Sequence, residues 1–124
     1  MLSEQDTETI RQVYAAMQLG KEGEDQMVGL FTEDGVLVEP FSGAPREHRG
    51  QAAIRECYQQ MMAAPRPPDF QLALDRIDTE GGRVVADWTC TASVMPAPLK
   101  GRDEYVLKDG KIARLEIQLL GGPL

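Results

Sequence analysis

Cysteine, histidine and aromatic residues are scarce in this sequence, bases are outnumbered by acids, and no long apolar run occurs. The two cysteines, Cys57 and Cys90, stand in stretches that read as a helix and a strand. Their spacing forms neither a metal motif nor a disulfide framework, so both are expected as buried thiols in a reducing compartment. The single histidine, His48, lies in the charged turn Arg46-Glu47-His48-Arg49, where a solvated side chain is the default. It lacks the clustered ligand partners of a metal site, so no metal is expected. No apolar run is long enough to span a bilayer, and the first residues carry Glu4, Asp6 and Glu8 where a signal core would be apolar. With 20 acids against 13 bases the net charge is −7, which argues against nucleic acid or an anionic membrane as partner. These absences imply a cytoplasmic protein. What is present is 124 residues of ordinary globular composition, 42% hydrophobic and 27% charged. One domain over residues 1–124 is expected, large enough to build a core without disulfides.

The chain opens with helical periodicity. Ser3 is a candidate N-cap, and Ile10, Val13, Tyr14 and Met17 recur at helical spacing, which predicts a helix over 4–19 closed by Gly20 and Gly23. A shorter helix is expected from about Glu24 to Phe31, then a turn at Glu33-Asp34-Gly35 into a short strand, 36–39. Pro40 cannot donate a ladder hydrogen bond and biases Glu39 towards an extended conformation, so the strand stops there. A loop rich in Gly and Pro carries His48 to Gly50. A third helix, about 51–64, follows, with Ile54, Cys57, Tyr58, Met61 and Met62 on one stripe and Pro65 as its stop. The period then changes to two. Phe70, Leu72 and Leu74 alternate with polar residues, Gly81-Gly82 turns the chain, and a long strand alternates from Val84 to Val94. Strands 99–108 and 111–119 close on Asp109-Gly110, a strong hairpin signal. The pattern is α+β: three N-terminal helices, a short strand, then a four-stranded antiparallel meander.

Four residues stand out chemically. Asp103 shares the apolar face of its strand with Leu99, Tyr105 and Leu107. It is either a desolvated carboxyl of raised pKa, able to donate a hydrogen bond when neutral, or an acid turned to water by a twist near Gly101. Tyr14 and Tyr58 lie on buried helical stripes, where most tyrosines are core residues whose hydroxyl finds a neighbour. Together with Asp103 they form either a structural network or an oxyanion site, because buried polar groups must satisfy one another. Glu39, at the junction of strand and loop, suits a general base and equally a surface acid. Trp88 reads as core or pocket wall.

The stretch Val38-Glu39-Pro40-Phe41, followed by Gly43, Pro45 and His48 and then by Ile54 and Tyr58, resembles the steroid Δ5-3-ketoisomerases. These belong to the nuclear-transport-factor-2-like superfamily, and the resemblance covers nearly the whole chain. It implies a cone in which the helices pack on the concave face of a curved, mostly antiparallel sheet. In that family the acid before Pro-Phe is the general base; here it is Glu39. A tyrosine in the first helix is the main oxyanion donor, here Tyr14, and a protonated aspartate on the strand before the last hairpin is the second, here Asp103. Tyr58 matches a tyrosine that hydrogen-bonds the first one. The resemblance further implies a cofactor-independent isomerase that shifts a proton alpha to a carbonyl. Its substrate would be a small apolar ketone, steroid-like, in a pocket to which Phe31, Phe41, Tyr58, Met62, Trp88 and Leu99 contribute. It also implies a homodimer through the outer sheet face. Two positions depart from the pattern: Glu39 replaces an aspartate, adding one methylene, and Phe31 stands where the steroid enzymes place a third tyrosine. The superfamily also holds polyketide cyclases, dehydratases, epoxide hydrolases and noncatalytic binders. Three alternatives therefore stand beside the isomerase. One is another enzyme built on Glu39 or His48, one a binder of small apolar ligands, and one a structural module with a filled core.

Overall fold

The computed structural model describes residues 2–81 and 83–120. Helix α1 runs Glu4–Leu19, and the Ser3 hydroxyl caps it by accepting the Asp6 amide at 3.0 Å. Its buried side carries Ile10, Val13 and Tyr14, as the periodicity predicts. Gly20, at φ 72°, ends it. A 3-10 turn, Gly20–Gly23, then leads into α2, Glu24–Gly29. The approach of this turn to α1 is close: a Cβ at position 23 would lie 2.0 Å from the Ala16 carbonyl oxygen.

Two helices are of full length, α1 and α3 (Gln51–Met61); the expected second helix is reduced to the six residues of α2. It stops early because sheet pairing takes over. Strand β1 covers Phe31–Glu39, and just before it Leu30 already accepts the Ile112 amide at 2.8 Å. The turn expected at Glu33-Asp34-Gly35 is an irregularity inside β1, where the register shifts between Phe31 and Val36. Residues expected as loop form β2, Arg46–Arg49, antiparallel to β1 with Leu37 opposite His48 and Glu39 opposite Arg46. Four consecutive polar residues hide this strand from any alternation test, and such charge is what a sheet edge tolerates.

The remaining strands are β3 (Gln71–Glu80), β4 (Arg83–Thr91), β5 (Leu99–Lys108) and β6 (Lys111–Leu119). Strand β4 ends three residues before the alternation does. The Asp69 carboxylate accepts the Ser93 amide at 2.8 Å and the Met95 amide closes on the Ala92 carbonyl, so the chain turns and leaves Val94 exposed. The turn expected at Gly81-Gly82 extends to Gly82, outside the described residues. Asp109 and Gly110 have φ of 52° and 78°, the paired positive values that a two-residue hairpin turn requires.

The strands form one sheet in the order β2-β1-β6-β5-β4-β3, with β1 and β6 parallel and the other neighbours antiparallel. Register assigns the faces. Ala86, Asp103 and Ile117 lie side by side across β4, β5 and β6, as do Val84, Tyr105 and Leu115. This face receives α1 and α3, and the core forms between them from residues such as Ile10, Val13, Leu37, Ile54, Ile112 and Leu115. Thr9 docks α1 on the hairpin by donating to the Gly110 carbonyl at 2.7 Å. The opposite face is laced with ion pairs, among them Arg102 with Asp87 and Arg83 with Glu104, both at 2.7 Å. Among the described residues no helix is long and apolar enough to cross a membrane.

Replacing Gly23 by Ala forces its new methyl against the α1 backbone, which cannot give way as a flexible side chain would. The expected outcome is a loss of about 1–3 kcal/mol in urea-unfolding free energy with an unchanged denaturant slope.

Candidate active site

Asp103 is 3% exposed and faces inward, so the alternative in which it twists out to water does not hold. Burial of its carboxyl is made tolerable by two donors. The Tyr14 hydroxyl donates to Oδ2 at 2.5 Å, and the Trp88 indole Nε1–H donates to Oδ1 at 2.9 Å. Tyr14 in turn accepts the Tyr105 hydroxyl at 3.0 Å. The site is thus a chain, Tyr105 to Tyr14 to Asp103, with the indole closing its far side.

Local structure explains each position. Tyr14 projects from the buried stripe of α1 onto the sheet. Asp103 and Tyr105 are two apart on β5 and share its inner face. Trp88 pairs with Gly101, where a Cβ would stand 2.1 Å from the indole Cζ2. The missing side chain is therefore what allows the ring to lie across β5 and reach Asp103.

Burial dominates the electrostatics. It pushes the Asp103 carboxyl up to about 7, against the opposing pull of the Tyr14 and Trp88 hydrogen bonds. Burial also raises the Tyr14 and Tyr105 phenols well above their ordinary value, so both remain proton donors. Tyr14 and Asp103 open onto a cavity of about 170 Å³ whose other walls include Met17, Phe41, Met62, Leu72, Trp88 and Leu99. Arg66 also borders it, with its guanidinium 4.0 Å over the Phe70 ring and its N–H groups donating to the Met17 and Gln18 carbonyls.

Several expected residues sit elsewhere. Phe31 is fully buried in the core and does not line this cavity. The Tyr58 hydroxyl donates to the Ala16 and Gly20 carbonyls at 3.0 and 2.7 Å, not to Tyr14. It caps the C-terminal end of α1, where helix carbonyls lack intrahelical partners. The tyrosine that bonds Tyr14 is Tyr105, whose place on the face of Asp103 was visible in the strand alternation. Arg66 carried no sequence signal of its own.

Glu39 is no surface acid: it is 1% exposed. Its Oε1 accepts the Phe41 amide at 2.8 Å, while Oε2 accepts His48 Nε2–H at 2.8 Å and Arg46 Nε–H at 3.1 Å. Burial pushes this carboxyl up, but the His48, Phe41 and Arg46 hydrogen bonds outweigh it and hold the pKa below the ordinary value. His48, expected in a solvated turn, is therefore an ordered partner on β2, with its side chain 16% exposed. Glu39 borders a neighbouring cavity of about 200 Å³ with Arg46, Cys57 and Gln60, and Phe41 borders both cavities. The Cys57 thiol there is pushed up to about 11, chiefly by burial, which removes it as a nucleophile at neutral pH. Cys90, expected as buried, is only partly so.

A family model of the SnoaL-like domain matches residues 10–115. Among curated proteins no sequence matches. Solved structures match in shape. A Sinorhizobium meliloti protein, provisionally named a polyketide cyclase, is 21% identical with a TM-score of 0.70, over 90% of this chain and 94% of its own. A Kribbella flavida protein, provisionally named a ketosteroid isomerase, is 19% identical with a TM-score of 0.70, over 98% of this chain and 82% of its own. A de novo designed protein with a curved β-sheet reaches the same TM-score, 0.70, at 13% identity over 97% of this chain and 88% of its own. At such identities the likeness is one of fold, and its extension to a designed protein shows that the shape assigns no chemistry by itself.

The Asp103 carboxyl is pushed up to about 7 in the folded chain, against an ordinary 3.8 when unfolded. Between those values the folded state binds one more proton, so this group's contribution to stability is greatest below about 4 and is lost as pH rises towards 7. Asp103→Asn is expected to remove that fall, read as a difference between the pH profiles of the wild-type and variant urea midpoints.

Proposed function

The chain belongs to the SnoaL-like domain family of the nuclear-transport-factor-2-like superfamily, and from that premise we propose that it is a cofactor-independent isomerase. It converts a β,γ-unsaturated ketone into the conjugated α,β-unsaturated isomer through a dienolate. The observation that carries this reading is the 2.5 Å bond between Tyr14 and Asp103 on the wall of an apolar cavity, with the Asp103 carboxyl raised to about 7.

In the resting site the two groups satisfy each other. A ketone oxygen entering the cavity takes the place of one partner and collects the Tyr14 O–H and the O–H of protonated Asp103. Low surrounding polarity makes both bonds stronger as the oxygen gains negative charge. Tyr105 donates to Tyr14 and so supports it as charge moves onto the phenol oxygen. The Glu39 carboxylate removes the alpha proton, becomes the carboxylic acid, and returns the same proton at the gamma carbon. No atom is gained or lost. Ketosteroid isomerases pair a neutral aspartic acid with an ionised carboxylate in the same way, and the opposite pKa shifts of Asp103 and Glu39 support that division of roles.

The cavity favours a compact ketone. Its volume of about 170 Å³ lies below the roughly 300–1,000 Å³ typical of drug-sized ligands. A steroid-sized substrate therefore requires Phe41, which is 47% exposed and borders both cavities, to move aside. The same movement would bring Glu39 and Tyr14 to one volume.

A second reading, a noncatalytic binder of small apolar ligands, is favoured by one observation. Glu39 does not line the cavity that holds Tyr14 and Asp103.

The two readings part in one assay. A panel of β,γ-unsaturated ketones, from cyclohexenones to 5-androstene-3,17-dione, is followed by the ultraviolet absorbance of the conjugated product. Expected are turnover by the wild type, a loss of about 10²–10³ in Tyr14→Phe and a loss of about 10²–10⁴ in Glu39→Gln. Binding of these ketones without turnover would establish the binder instead.

A further inference from the structure

The second cavity holds a cluster with its own chemistry. The β1–β2 register sets His48 opposite Leu37 and Arg46 opposite Glu39, so both side chains reach the acid from the paired strand. Helix α3 brings Cys57 onto the same spot from the other side. One ligand-capable atom each from Glu39, His48 and Cys57 lies within 4.8 Å of the other two. The three side chains come from three different elements, and Glu39 and Cys57 are buried while His48 is largely so.

We propose that Glu39, His48 and Cys57 bind a divalent transition-metal ion of the Zn²⁺ or Co²⁺ class, with a fourth position open to the cavity. The donor set decides the class. A thiolate and an imidazole beside one carboxylate favour borderline-soft cations over Mg²⁺ or Ca²⁺, which prefer oxygen ligands. The spacing suits it too. Zinc bonds of about 2.0–2.3 Å to O, N and S place tetrahedral ligands roughly 3.3–3.7 Å apart. The Glu39–His48 pair, now 2.8 Å apart, must open slightly, and Cys57, within 4.8 Å of both, must draw in by about 1–1.5 Å at most. On binding, the Cys57 thiol releases its proton to solvent, and His48 moves its ring proton from Nε2 to Nδ1 so that the Nε2 lone pair faces the ion.

Arg46 is the natural competitor. Its guanidinium lies 3.0 Å from Glu39 Oε2, yet its side chain is 51% exposed against 2% for Glu39. It can swing into water and let one cation replace another. Removing it should therefore strengthen metal binding, an effect that no purely structural role for the cluster produces.

This inference does not rest on the isomerase reading, which describes the metal-free chain; a metal on Glu39 takes that carboxylate out of proton transfer. The test needs no substrate, so the two can fail separately. Chelator-stripped full chain is titrated with Co²⁺ and its absorption recorded. The expected result is a near-ultraviolet thiolate-to-cobalt band with tetrahedral visible bands, saturating at one Co²⁺ per chain and displaced by Zn²⁺. Cys90→Ser keeps the band and Cys57→Ser abolishes it. His48→Ala weakens binding beyond the roughly 10–100-fold typical of an outer-shell partner, and Arg46→Gln tightens it. Circular dichroism checks each variant for folding, with Cys57→Ala standing in if the serine variant fails. No band in the wild type or in Cys90→Ser, or a band that survives loss of Cys57, overturns the proposal.

Discussion

A carboxyl group buried among apolar side chains is the constraint on which the rest of this structure turns. Left unpaired, Asp103 would lose hydration worth far more than a typical stabilising contact, so the fold must deliver partners to it. It does so from two directions. Helix α1 supplies the Tyr14 hydroxyl across 89 residues of sequence, and β4 supplies the Trp88 indole from the neighbouring strand. Tyr105 then secures Tyr14. The side-chain polar atoms of this buried network are all satisfied, which makes it as much a fastening between helix and sheet as a candidate site.

That fastening needs the helix held at a fixed depth. Thr9 ties its N-terminal half to the β5–β6 hairpin, while Tyr58 and Arg66 bond the carbonyls at its C-terminal end. Gln18 adds a two-way clamp to the start of β3, donating to the Phe70 carbonyl and accepting the Leu72 amide. With α1 pinned at both ends, the space between Tyr14 and the sheet cannot collapse fully. The apolar cavity is what remains.

The two buried acids show how environment divides identical chemistry. Burial outweighs the two neutral donors of Asp103 and pushes it towards its protonated form; the hydrogen bonds from His48, a backbone amide and Arg46 outweigh burial at Glu39 and hold it ionised. A proton donor and a proton acceptor therefore arise from the same functional group in one small domain. Phe41, which borders both cavities, stands where the two environments meet.

Local chemistry in the sequence was enough for the outline. The Ser3 cap, the stripe through Tyr14, the Asp109-Gly110 turn and the alternation of β5 through Asp103 and Tyr105 depend on neighbours a few residues away, and each appears as read, whereas the start of β6 shifts register and buries Ile112. The same periodicities turned Tyr14 and Asp103 inward, because a helix repeats every 3.6 residues and a strand every two. Partnership was decided only by the tertiary structure. That Tyr58 serves the end of α1 while Tyr105 serves Tyr14 depends on ångström distances between remote elements. So does the fate of His48. Its strand has no apolar alternation and exists because β1 offers it a ladder, and that ladder turns an apparently solvated histidine into the partner of a buried acid. Periodicity can say which way a side chain points, but a hydrogen bond is settled by where its partner lies, and that position is a property of the packed chain.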